Sequence, residues 1–382
     1  MVGAGHQSLA AAVCPMTFQP VKIAPWIDAK QIEQTIENTR LPQPRKDPWK
    51  YTSVKQVLER LDNPFERTDQ LPEQNGSGVF VGDFGDPKIS SLAHKYVNQI
   101  SNSSNNVLAS LNLLRAQQGY AIVSSENNDS VGPAVQIPAS DSCERILILV
   151  QERANLEFIE HTSGGNRVIE CLILPGGQLV HRRIQPATTH VEYNSLSVNV
   201  MENSSYKMTQ YSVGAQLRRN DIVINIEGEG ARVDVSGGWK LADTSHLDTQ
   251  LAVNHRAKGA TSQQKFHGVV GDSARAIFNG RIYIARNAPK TDAHLQNKNI
   301  ATSDGAAIFT KPELEIYADD VACSHGATSG QLDEQQIFYL RTRGIPDDRS
   351  RELILEGFLA EIVEHEEGAR VLEIESKGVP GP

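Results

Sequence analysis

Between Glu144 and Arg286 the chain is a succession of short stretches in which apolar and polar residues alternate. They read "RILILVQ", "NLEFIEHT", "RVIECLILPG", "HVEYNSLSVNV", "SYKMTQYSVG", "DIVINIEGEGARVDVSG" and "RIYIAR". A period of two sends successive side chains to opposite faces of a strand. Gly, Asn and Asp punctuate the stretches at intervals of roughly ten residues, and no long amphipathic helix interrupts them. Many short strands with turn signals fit a sandwich, a barrel or a β-solenoid. A helix-free run of this length is generous for one sandwich, whereas a solenoid grows turn by turn. No exact repeat marks the turns.

The flanks have another character. "DAKQIEQTIENTR" (Asp28–Arg40), "SVKQVLERLD" (Ser53–Asp62), "PKISSLAHKYVNQI" (Pro87–Ile100) and "VLASLNLLRAQQG" space apolar residues three or four apart, as amphipathic helices do. Pro87 suits a first helical turn. "DQLPEQNGSG" and "SNSSNN" read as breaks between them. After the strands, "QLDEQQIFYLRTRGIP" predicts a helix capped by Asp333, with Gln336 completing a capping box, Gly344 as a left-handed terminator and Pro346 as a stop. "DDRSRELILEGFLAEIVEH" then places Leu355, Leu359 and Ile362 on one face, with Ile354 and Phe358 beside them. Such a face is buried against something. It covers the end of a solenoid or docks another chain, and packing within the chain is the plainer expectation.

Composition removes several classes of function. A net charge of -9 argues against general nucleic-acid binding, which needs clustered Lys and Arg. No apolar run approaches the roughly 18 residues of a membrane span. Four cysteines, Cys14, Cys143, Cys171 and Cys323, lie far apart without metal-finger spacing, so reduced thiols in the cytoplasm are expected. "SLAAAVCPM" lacks the basic start of a secretion signal and reads as a loose tail.

Three constellations invite chemistry. "GEGARV" (Gly228–Val233) imitates a dinucleotide fingerprint, but a strand pattern follows where the fingerprint needs a helix, so a turn is expected. His246, His255 and His267 recur along neighbouring stretches and read as hydrogen-bonded strand histidines. Asp221, Asp234 and Asp248 are the acids a β-helical carbohydrate-active enzyme would use. The third constellation is "ADDVACSHGATSG" (Ala318–Gly330). If it is extended, Cys323 and His325 share one face with Cα atoms about 6.6 Å apart. Thiolate and imidazole suit iron or zinc. Two ligands do not complete a cluster site, which wants about four. Parallel side chains on one strand also make a poor nucleophile–base dyad. Half of a shared metal site and an ordinary structural cysteine both remain open.

The stretches "NAPKTDAHLQNKN" (Asn287–Asn299) and "KPELEIYADDVACSHGATSGQLDEQQIFYLRTRGIP" (Lys311–Pro346), with the closing amphipathic helix, resemble the C-terminal signature of the SufB/SufD family. Members are scaffold subunits of the Suf iron–sulfur cluster assembly machinery. Weaker similarity runs back through "GAQLRRNDIVINIEGEGARVDVSGGWKLADTSHLDTQLAVNH", and "DPWKYTS" (Asp47–Ser53) is similar to the family's N-terminal region. "SHGA" stands where B-type members have a glutamate-rich motif, and "LQNKNIATSDGAAIFT" has no cysteine, so the resemblance is to the D type.

The resemblance implies a mainly β protein, a right-handed parallel β-helix flanked by N- and C-terminal α-helical domains. Residues 1–125 would be the helical N-terminal region, 126–329 the β-helix with its terminal interface strand, and 330–382 the helical C-terminal domain. It implies pairing with SufB through the terminal strand, delivery of sulfur by a cysteine desulfurase through SufB, and self-pairing when isolated. A transient iron–sulfur cluster shared with SufB would contact Cys323 and His325. The SufC ATPase would dock on Phe338, Tyr339, Leu340, Arg343, Gly344, Leu355, Phe358 and Leu359. Reduced flavin, FADH2, is associated with such complexes as an iron reductant. No catalytic residue, nucleic acid or membrane enters this expectation. The rival readings are the carbohydrate-active enzyme and a structural subunit that never meets metal.

Overall fold

The computed structural model describes residue 46 and residues 48–62, 71–72, 78–101, 107–116, 118–126, 133–162 and 164–374. The predicted helix Asp28–Arg40 and Cys14 lie outside them. The first helices are α1 (Val54–Asp62), α2 (Ser90–Tyr96) and α3 (Val107–Arg115), with β1 (Val79–Asp83) between α1 and α2. Seven strands follow: β2 (Gln118–Ser124), β3 (Val135–Ile137), β4 (Cys143–Val150), β5 (Asn155–His161), β6 (Asn166–Ile173), β7 (Gln178–Gln185) and β8 (Thr188–Val200). Then come β9 (Ser205–Val213), β10 (Ala215–Ile226), β11 (Arg232–Leu241), β12 (His246–His255), β13 (Thr261–Val270), β14 (Arg275–Ile284), β15 (Asp292–Ala301), β16 (Ala307–Ile316) and β17 (Ala322–Gln331). Helices α4 (Glu334–Thr342), α5 (Asp347–Ala360) and α6 (Glu366–Val371) close the described chain.

From β2 onward every strand pairs in parallel with the strand two places away in sequence, so the chain alternates between two sheets and forms a parallel β-solenoid. Arg218, Leu247, Ala276 and Ile308 stack in register, so these turns are offset by 29, 29 and 32 residues. The corners explain the Gly, Asn and Asp punctuation. Gly176, Asn203, Gly230, Gly259, Lys290 and Asp320 each hold a positive φ at one corner of successive turns. Each of the first five donates its N–H to a carbonyl of the next turn. Only Gly, and less readily Asn and Asp, adopts that backbone cheaply, which is why a repeat without sequence identity still carries a punctuation. "GEGARV" is one of these corners: a methyl group at Gly228 would overlap the backbone of Met201 and Glu202.

The inward stacks are mainly aliphatic and aromatic, such as Ile222, Leu251, Ile282 and Phe266. Towards one edge of the first turns they become charged: Glu160, His181 and Arg183 are buried inside the solenoid and bonded to one another. The helical flanks are only partly as expected. In the N-terminal flank β1 and β2 form an antiparallel pair that extends one sheet, because "VFVGD" and "GYAIVS" carry the β-branched and aromatic residues of strands. The helix predicted over Pro87–Ile100 is shorter, running Ser90–Tyr96 and stopped near Asn98, whose φ is 64°. At the C-terminus Asp333 does cap α4 by accepting from Gln335 N–H, and Gly344 follows with φ 85°.

Each flank lies against the outer face of one sheet. Phe84, Ile89, Ala93 and Ile100 pack on Leu147, Leu149 and Leu172 of the first sheet. Ile362 and Leu372 pack on Ile159, Ile184 and Tyr211 of the second. The C-terminal face therefore covers the side of the solenoid and not its end.

Candidate functional site at the last turn

The last turn is made by β16 and β17, the outermost strands of the two sheets. In β17, Cys323 stands in register with Ala293 and His325 with Leu295. Ala293 and Leu295 are buried in the core, so the in-register residues above them project into the solenoid at its open end. Cys323 packs half-buried against the core cluster, while His325 is exposed. Burial raises the Cys323 thiol above its ordinary range, the Asp292 carboxylate raises it further, and the Ala293 N–H opposes them. At neutral pH the group is a thiol, and a metal binding there displaces its proton. Among the described residues no three of His, Cys, Asp and Glu are grouped to hold a metal ion.

The acid pair of "ADDV" has a structural use. Asp320 takes the left-handed corner with φ 55°, and its carbonyl accepts from Lys290 N–H at 2.7 Å. Among the described residues nothing covers the end of the solenoid. Ile316 is 42% exposed and Tyr317 58%, with Ile308, Leu314, Val321 and Cys323 only partly buried. Ala322, Ser324, Gly326, Thr328 and Gly330 give β17 almost no side-chain bulk.

The remaining sequence candidates do not converge. His246 bonds Thr52, His255 bonds Ser262 through Nε2, and His267 donates Nδ1–H to the Phe358 carbonyl at 2.8 Å. Asp221 and Asp248 both pair with buried Arg219, at 2.6 Å each, and Asp234 lies on the other sheet. Residues 48–52 of the "DPWKYTS" motif form the cover over these acids. The Trp49 ring lies 4.0 Å from the Arg219 guanidinium, Pro48 accepts from it, Thr52 donates to Asp248, and Tyr51 stacks on Phe309 of β16 at 4.0 Å. No sequence pattern marks this clip, since Arg219 and Trp49 are far apart in the chain. Cys143 and Cys171 are buried thiols whose pKa values burial pushes up.

The residues expected to dock an ATPase divide into two groups. Phe338 is 67% and Tyr339 57% exposed on α4, with the Arg343 guanidinium 5.3 Å from the Tyr339 ring. Gly344 is exposed at the helix end, while Leu340 and Leu355 are half-buried. Phe358 stacks on His267 with ring centres 4.6 Å apart, and Leu359 is 2% exposed. Phe358 thus ties α5 to β13 within this chain.

The fold and site together define a parallel β-solenoid with helices along its sides and, among the described residues, an uncovered final turn carrying one thiol and one imidazole. A family model described as "SUF system FeS cluster assembly, SufBD core domain" matches residues 135–358. The chain belongs to this SufB/SufD family of iron–sulfur cluster assembly proteins. It is 32% identical over 219 residues to the iron–sulfur cluster assembly protein SufD of Escherichia coli, covering 56% of this chain and 51% of that protein. An assembly SufBD family protein of Synechocystis is 27% identical over 85% of this chain and 84% of its own length. SufD of Plasmodium falciparum is 33% identical over 175 residues, 45% of this chain and 12% of that protein. The chain thus spans about half the E. coli relative and most of the cyanobacterial one. Among the described residues no helix is long and apolar enough to cross a membrane.

Proposed function

We propose that this chain is a D-type, non-catalytic scaffold subunit for iron–sulfur cluster assembly in the cytoplasm. In this reading it pairs with a SufB-type sister through its last turn and carries a SufC-type ATPase on its C-terminal helices. Sulfur arrives from a cysteine desulfurase through the sister, and a second copy of this chain takes the sister's place when the subunit is isolated. The supporting observation is the end of the solenoid, which the described residues leave uncovered. A solenoid needs its terminal turn capped to bury the core and satisfy the strand edges. Here the helices that could serve as a cap lie on the sides, leaving Ile316, Tyr317 and the small-residue strand β17 to another solenoid.

Cys323 and His325 then face the junction from this side. They offer one sulfur and one nitrogen to a nascent cluster, which is cargo and not a resident group, and the remaining ligands come from the sister. The engagement of Asp221 and Asp248 by Arg219 weighs against the carbohydrate-active reading, since neither acid is free to handle a proton at a sugar.

The test is co-expression with SufB and SufC. Stoichiometric co-purification is expected, and His325→Ala is expected to lower the iron and sulfide recovered on the complex without dispersing it. A chain that purifies alone would refute the pairing. An unchanged cluster yield in the variant would remove His325 from the site.

A further inference from the structure

We propose that Ser324, His294 and Asp292 form a hydrolytic triad on the outer wall of the last turn, with small activated esters as its substrates. Cluster scaffolding asks no catalysis of this chain, so the activity is additional to that role and stands or falls without it.

The topology brings the three side chains together. Asp292 and His294 are two residues apart on β15 and so point to one face, and Ser324 of β17 stands in register with His294. The intervening Ala293, with Leu295 and Cys323, packs on the core, so the triad lies on the opposite, outward face. His294 Nε2 is 2.6 Å from Asp292 Oδ1, and its Nδ1 is 2.6 Å from Ser324 Oγ. Nucleophile, base and carboxylate are thus joined in series, each within hydrogen-bond reach of the next. Cys323 and His325 lack this relation, because their side chains run parallel on one strand. Here the base comes from the neighbouring strand.

The chemistry follows from that order. Asp292 accepts Nε2–H, which fixes the tautomer and leaves the Nδ1 lone pair to the Ser324 hydroxyl. The ring nitrogens are used in the reverse of the serine-protease order, with the same succession of roles. Ser324 Oγ bonds to the acyl carbon while its proton passes to Nδ1. Collapse of the tetrahedral adduct breaks the acyl–oxygen bond, and the alcohol leaves with that proton. Water then adds to the acyl-serine and gives a proton to Nδ1, and Ser324 takes it back as the carboxylic acid departs. Among the described residues β17 pairs only with β15, so its other edge presents backbone N–H groups that can meet a developing oxyanion.

The surroundings set the substrate class. Ser324 is flanked on its face by Ala322 and Gly326, and a methyl group at Gly326 would meet nothing within 4 Å. The side chains of His294 and Asp292 are 47% and 54% exposed. An acyl carbon can therefore reach Ser324 unobstructed, but no walls hold a long acyl chain or a peptide, so small esters with good leaving groups are the substrates that fit.

The isolated full chain is tested with p-nitrophenyl acetate and with a fluorophosphonate, whose fluoride the Ser324 oxygen displaces. Turnover of the ester and a fluorophosphonate adduct on Ser324 are expected. Ser324→Ala is expected to lose the adduct, and both it and His294→Gln to slow hydrolysis by at least about a hundredfold. Asp292→Asn is expected to lower kcat with KM unchanged, as befits a group that orients the base. All three side chains are exposed on the wall, so the variants are expected to keep the native circular dichroism. Absence of the adduct, an adduct without ester turnover, or a smaller fall in Ser324→Ala overturns the triad. None of these results bears on pairing with SufB.

Discussion

Arg183→Met is the substitution through which the charged interior of the solenoid is best tested. Arg183 donates Nε–H to Glu160 Oε2 at 2.8 Å and an Nη1 hydrogen to Gln210 at 2.9 Å, and it is 1% exposed. Glu160 is fully buried and also accepts from His181 at 3.0 Å, with Arg167 3.5 Å from its other oxygen. Burial raises the Glu160 pKa, but Arg183, His181 and Arg167 outweigh it and hold the carboxyl below the usual carboxylate range. His181 does not supply a full charge, because burial pushes it down to about 4. It works as a neutral donor while accepting from the Tyr206 hydroxyl.

Methionine keeps most of the arginine's volume and removes the charge. Breaking one partner of a buried pair costs about 3–5 kcal/mol, a large share of the 5–15 typical of a domain. Urea unfolding followed by fluorescence of the buried Trp239 reads the loss. The pH dependence gives a second check. In the native chain the depressed Glu160 contributes stability above its unfolded value of 4.5, and that stability is lost only as pH falls through the lower folded value. In the variant, burial acts with less opposition and the folded carboxyl rises, so the deficit is greatest near neutral pH and shrinks towards about pH 4.5. Glu160→Gln in the same background is expected to recover much of the loss. A deficit below about 1 kcal/mol near neutral pH, or one unchanged on acidification, refutes the account.

Three further outcomes are expected. His365 caps α6 by accepting from Gly368 N–H at Nδ1 and bonds Thr209 through Nε2, and burial, followed by Arg182 and Lys207, pushes it down to about 4 against the pull of Glu364. Its neutral form is the docked one, so protection of Glu366–Val371 from hydrogen exchange should be full above pH 6.5 and fall towards pH 4. His365→Gln should flatten that profile, and an unaltered profile would assign it elsewhere. Leu359→Ala should destabilise the C-terminal helices by about 2–4 kcal/mol, read as earlier proteolysis after Gln331 with the solenoid intact. Gly228→Ala should lower the melting temperature by several degrees, because its methyl group overlaps the Met201–Glu202 backbone, whereas Gly326→Ala should not.

The solenoid was legible in the sequence because period two and corner residues both survive without repeat identity. Asn203, Gly230 and Gly259 mark corners that any alignment of turns would reveal. The charged edge of the interior was not legible. In "NLEFIEHT" the inward set is Leu156, Phe158 and Glu160, so alternation predicts the face but not why a carboxylate occupies it. Its partners, His181 and Arg183, come from the next turn of the same sheet, and only the register joins them. "VFVGD" and "GYAIVS" stand among helical spacings in the chain, and only their pairing, with each other and of the second with β4, makes them strands.

The same distinction governs the site. That Cys323 and His325 share a face follows from their spacing on any strand. Whether that face is the wall or the interior depends on register with β15, because a slip of one residue would turn both side chains out to solvent. The observed register sets them above Ala293 and Leu295, so the thiol touches the core while the imidazole, one step along, has no further turn above it. A structural cysteine would need only the first contact. His325 is the residue that separates the readings, because an exposed imidazole in an inward column serves no packing purpose in a lone chain. Equal stability of native chain and His325→Ala, measured by urea unfolding in the absence of partners, is therefore expected, with the cost of the substitution appearing only in the assembled complex. A loss above about 1 kcal/mol in the isolated chain would show that the imidazole is part of this subunit's own packing.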